Sequence, residues 1–120
     1  MELLQFNSLS LILVLTGFIF YVAGFVQYKY PPKRINHLYG YRTKKSMSNL
    51  KIWKFAQSYA AKKMQGLGFS LFLLGLILSV IDINKGLGIW LGIALVTAAP
   101  FLMLFEIEKE LKKRFPKGDE

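Results

Sequence analysis

The chain has 120 residues, enough for a single domain, and combines a net charge of +9 with 53% hydrophobic residues. The charge is bunched and the apolar residues come in blocks, which is a membrane composition rather than that of a soluble globule or a nucleic-acid-binding module. With no cysteine and one histidine, His37, disulfides, thiolate chemistry and Cys or His metal sites are not expected. No cofactor is expected either.

Gln5 to Tyr28 contains no charged residue across 24 positions. About 20 predominantly apolar residues suffice to cross the hydrocarbon core as a helix, so this is the first span, at about 5–28. A cleaved signal peptide fits less well. The start carries Glu2 rather than a basic residue, the apolar run is too long, and no A-x-A site follows. Pro31-Pro32 is expected to end the helix, because proline lacks the N–H and restricts the residue before it.

Residues 29–63 hold ten of the sixteen basic residues and no acidic one. Lys33 to Ser48 reads as an irregular loop. From Asn49 to Lys63 the pattern turns helical. Ile52, Ala56 and Tyr59 share one face, with Trp53 and Ala60 beside them, while Lys51, Lys54, Ser58 and Lys62 populate the other side. Ser48 or Asn49 is placed to cap its start. The stretch reads as a basic amphipathic helix lying in the plane of the membrane surface.

Residues 64–81 and 86–105 are uncharged runs of 18 and 20 residues joined by Asp82-Ile83-Asn84-Lys85. They read as an antiparallel pair of spans, with a kink expected at Pro100. Glu106 to Phe115 continues as a mixed-charge helix. It offers i,i+4 pairs Glu108/Lys112 and Glu110/Arg114 and an apolar stripe of Ile107, Leu111 and Phe115. Pro116-Lys117-Gly118 is expected to end it, leaving a tail at 106–120. Gly17/Gly24 and Gly68/Gly75 are each seven apart, and Gly88 and Gly92 form a small-residue pair suited to close helix approach, either within the chain or between copies.

The fold class is therefore all-α: an integral membrane protein with three transmembrane helices, a cytoplasmic amphipathic helix and a helical C-terminal tail. Three spans place the 29–63 loop and the tail on one side, with fifteen basic residues against Lys85 alone on the other. The positive-inside rule then puts the N-terminus outside and the C-terminus in the cytoplasm.

No nucleophile elbow, metalloprotease, P-loop or dinucleotide motif occurs, and no acidic residue lies within a span. The expected activity is binding without covalent chemistry. The dense polar and aromatic cluster runs from Asn36 to Ala56: Asn36, Gly40, Tyr41, Arg42, Thr43, Ser46, Met47, Asn49, Trp53 and Ala56 are the candidate binding residues. Gly40 between two tyrosines suggests a turn with positive φ. Arg42 to Ser46 offers donors for an anion such as a lipid phosphate or a carboxylate. The competing reading is a solvated loop that only anchors topology, although anchoring calls for charge and not for this mixture of residue types.

The pattern N-x-x-x-G-Y-R-T-x-x-S-M-x-N-x-x-x-W-x-x-A over Asn36 to Ala56 resembles the signature of the SdpI family. That family is named for a membrane protein that protects bacteria against a secreted killing peptide. The resemblance is close over about residues 28–80. It implies a bacterial cytoplasmic-membrane protein giving immunity to a membrane-active peptide, or signalling its presence by holding a transcriptional repressor at the membrane. The implied partners are the bilayer, anionic lipid headgroups, a peptide toxin and a protein at the cytoplasmic loop. Self-association is a further possibility. An accessory subunit of a transporter or other membrane complex is the alternative. A lipid-acting enzyme would have to draw on Ser46, Thr43, His37 and the tyrosines, which show no recognisable arrangement.

Overall fold

A computed structural model describes residues 6–116, which form three helices: α1 (Ser8–Lys29), α2 (Leu50–Leu78) and α3 (Lys85–Arg114). Gln5, at the expected start of the first span, and residues 117–120, at the end of the tail, lie outside the described residues. With 22, 29 and 30 residues, the helices are about 33, 44 and 45 Å long. All three are long and apolar enough to cross a bilayer.

Each helix starts on an asparagine. The side-chain oxygens of Asn7, Asn49 and Asn84 accept from the backbone N–H groups of Ser10, Ile52 and Leu87 at 2.8, 2.9 and 3.1 Å. Each thereby satisfies one of the four donors that a helix start leaves free. Asn7 also donates to the carbonyls of Leu78 and Ile81, and Ser8 to that of Lys85, tying the start of α1 to the α2–α3 turn.

Residues 49–63 are not a separate in-plane helix. They are the first half of α2, which passes through Lys63-Met64 without a break. The change there is from charged to apolar side chains, and nothing in Lys62-Lys63-Met64-Gln65 interrupts backbone hydrogen bonding. Its inner face is covered by protein rather than by lipid headgroups: Ile52, Trp53, Ala56, Gln57, Ala60 and Ala61 are all buried. The tail is likewise the end of α3. That helix continues through Pro100, whose ring nitrogen has no hydrogen to donate to the Val96 carbonyl.

α1 and α2 are antiparallel and very close. A Cβ on Gly17 would lie 2.5 Å from the Phe72 nitrogen and 2.6 Å from the Gly68 carbonyl oxygen, both backbone atoms that cannot yield. α3 is held at its two ends. Near its start, Gly88 and Gly92 sit against Ser8, Leu9 and Ile12 of α1. At the basic end, Ile107, Leu111 and Phe115 complete a core with Ile52, Ala56 and Ala60. Between these clamps α3 parts from α2; Val96 and Met103 still pack against the two cores, while Phe101, Leu102 and Phe105 are exposed. The assembly is 55 Å long, well beyond the roughly 30 Å of a hydrocarbon core, so its basic end projects out of the apolar layer.

Candidate functional site

The loop between α1 and α2 is folded rather than solvated. α1 ends at Tyr30, whose N–H still reaches the Val26 carbonyl. Pro32 is buried, and its carbonyl accepts from the Trp53 indole N–H at 2.8 Å. Trp53 is fully buried, so an aromatic on α2 fixes the chain just after the proline pair. Asn36 then builds a turn on itself: its side-chain oxygen accepts from the Leu38 and Tyr39 N–H groups, and its amide donates to the Arg34 carbonyl. This is the use of asparagine expected in turns.

Gly40 has φ +105, and a Cβ there would run into the Gln57 side-chain oxygen and lie 2.7 Å from Pro32 Cγ. Only glycine meets both conditions. Thr43 and Ser46 close a second turn reciprocally. The Thr43 N–H donates to Ser46 Oγ at 2.8 Å, and the Ser46 N–H donates to Thr43 Oγ1 at 3.1 Å. The Ser46 hydroxyl, fully buried, points to the carbonyls of Tyr41 and Thr43. A hydroxyl held this way organises a turn and has no base to make it a nucleophile. Met47 follows with its N–H on the Thr43 carbonyl, and Asn49 caps α2.

Two residues outside the sequence motif hold this loop to the helices. Gln57 on α2 accepts the Tyr41 N–H at 2.6 Å and donates to the Tyr41 carbonyl at 2.8 Å, as a strand neighbour would. It also accepts from Gln27 of α1 at 3.1 Å. Glu108 on α3 takes two hydroxyls on one carboxylate oxygen, from Tyr41 at 2.5 Å and from Thr43 at 2.8 Å. Glu108 therefore faces the loop rather than Lys112, whereas Glu110 and Arg114 do pair, at 2.7 Å. Burial, and next the Glu108 carboxylate, push the Tyr41 phenol far above its ordinary range. Tyr41 is thus a permanent hydrogen donor. The polar chain Gln27–Gln57–Tyr41–Glu108 links α1, α2, the loop and α3.

Of the ten sequence candidates, Tyr41 meets Gln57 and Glu108, Thr43 meets Glu108, and Ser46 bonds to Tyr41 and Thr43. Trp53 and Ala56 are core, and Asn36, Gly40 and Asn49 shape the backbone. Met47 is half-buried. Arg42 is the exception. It is exposed and donates to the His37 carbonyl, which leaves most of its five donors facing out. No group of three or more metal-ligating side chains occurs among the described residues. Gln57 and Glu108 were missed in the sequence because each looks ordinary there, one as a polar residue in an amphipathic helix and the other as half of an i,i+4 pair. The signal was Gln27, an amide in the last turns of an apolar span that needs a buried partner.

A family model described as the SdpI/YfhL protein family matches residues 33–105, which take in most of the loop, all of α2 and the apolar part of α3. The uncharacterized protein YfhL of Bacillus subtilis (strain 168) is 34% identical over 97 residues, covering 80% of this chain and 82% of that protein. No solved structure matches the chain. Three spanning helices, a motif that runs from a folded basic-end loop into α2 and these two matches lead to one conclusion: the chain is a multi-pass membrane protein belonging to the SdpI/YfhL family.

Proposed function

We propose that the protein gives immunity to, or signals the presence of, a membrane-active antimicrobial peptide, and that it does so by non-covalent binding. It sits in the bacterial cytoplasmic membrane with its basic end inside. The observation that carries this reading is the fate of the motif. Most of its residues build the loop or its packing on α2 and α3, while Arg42, which donates to the His37 carbonyl, is exposed to solvent. A loop that served only as a charge anchor would need no such construction. A planar guanidinium in that position suits bidentate capture of a carboxylate or phosphate, which lysine cannot copy.

The test is expression in a sensitive bacterium, followed by challenge with a panel of membrane-active peptides. Protection against at least one peptide is expected. Arg42→Lys should abolish it although charge is kept, while Lys33→Ala leaves it intact and all forms insert equally. Equal protection by Arg42→Lys and the parent would reduce the loop to an anchor. The second reading, an accessory subunit of a membrane complex, draws on the uncovered middle of α3. It is favoured if a large partner stays bound through purification in mild detergent.

A further inference from the structure

We infer that the lateral cleft between α2 and α3, next to the basic end, is a site for one anionic phospholipid. The cleft exists because α3 is clamped only at its ends. Between the clamps the two helices part, leaving a space of about 500 Å³. Its floor is mostly apolar: Gly66 and Leu67 of α2 face Ala99, Leu102 and Met103 of α3, with Ser70 the one hydroxyl among them. Its mouth is charged, with Lys62 and Lys63 on α2 and Glu106 on α3. Hydrocarbon below and two ammonium groups above is the polarity of a phospholipid, chain inward and phosphate at the surface.

The charges decide the class of lipid. Lys63 is 3.4 Å from Glu106, which leaves it donors to spare. Lys62 is exposed and lies over the Tyr28 ring at 5.7 Å, with its ammonium open to solvent. Two cations against one carboxylate leave the mouth net positive. An anionic headgroup is attracted there, and a zwitterionic one would bring its own cation beside two lysines.

Gly66 supplies a control. A Cβ built there meets nothing within 4 Å, so a larger side chain can enter the cleft without disturbing a packed interface. The inference rests on membrane insertion and not on the immunity reading, so either can fail alone.

The test is native mass spectrometry of the intact protein in detergent, titrated separately with phosphatidylglycerol and phosphatidylcholine. One phosphatidylglycerol should be retained, and no phosphatidylcholine at the same concentration. The double variant Lys62→Gln/Lys63→Gln should bind about 30-fold more weakly, from the attraction of two basic residues near a membrane surface. Gly66→Leu should abolish retention with helix content unchanged, and Glu106→Gln should strengthen it. Equal retention of both lipids would make the adduct ordinary annular lipid. Retention that survives Gly66→Leu but needs the lysines would move the site to the basic loop. Each of these two results overturns the inference.

Discussion

Tyr41 is the residue at which the loop meets two helices, its backbone on Gln57 and its phenol on Glu108. The phenol is held protonated above its ordinary value, first by burial and next by the carboxylate. Because the folded value lies above the unfolded one, near 10, this stabilisation is fully present below about pH 10 and fades as pH climbs past it. Tyrosinate absorbance should therefore show the same ordinary-range amplitude in Tyr41→Phe as in the parent, and the variant should lose part of the alkaline dependence of stability. A smaller amplitude in the variant would mean that Tyr41 titrates freely. Gln57 carries a larger structural share. Replacing it by leucine strands the Tyr41 N–H and carbonyl, while the Gln27 amide keeps its bond to the Gln57 backbone carbonyl at 3.3 Å. Each unmet group costs about 1–3 kcal/mol. Thermal unfolding in detergent should show Gln57→Leu destabilised by about 2–4 kcal/mol.

At the scale of elements, hydropathy placed the three helices and charge marked where the solvent changes, but neither marked where the backbone breaks. Lys63-Met64 looks like a boundary in sequence, yet it lies inside α2, whereas the helical continuation read past Glu106 is the end of α3. What ends a helix here is proline, or a turn closed by the next asparagine cap: Tyr30 before Pro31-Pro32, Phe115 before Pro116, and the turn ahead of Asn84. The loop was legible as special through its residue types, and Gly40 read correctly as a positive-φ position. Its partners were not legible, because Gln57 and Glu108 lie 16 and 67 residues from Tyr41 and no local rule joins such distances. Trp53 shows the difference in a measurable way. An in-plane helix would place its ring among lipids, whereas here it is enclosed by protein under Pro32. In a Trp90→Phe background its emission should be blue-shifted and resist quenching by iodide and by brominated lipid alike. Strong quenching by brominated lipid would restore the surface placement.

Taken whole, the molecule is a three-helix bundle with nearly all its positive charge at one end. Among the described residues, fourteen basic side chains belong to that end and Lys85 alone to the other, and the positive-inside rule predicts that the basic end faces the cytoplasm. The absence of cysteine makes this simple to test with single labels. A cysteine at exposed Lys44 should be shielded from impermeant thiol reagents in intact cells, and one at exposed Asp82 should react. Asp82 is preferable to Asn84, which caps α3. The opposite pattern would invert the topology.

The two-point attachment of α3 also has a mechanical meaning. A rod fastened near its ends and unsupported between them takes up load by bowing, and it bows where its internal bracing is weakest. Pro100 removes one rung of that bracing, and it lies between the Gly92 and Ile107 fastenings. When the bilayer thins or thickens, α3 is therefore expected to take up the change as curvature in mid-span and to leave the folded basic end as it is.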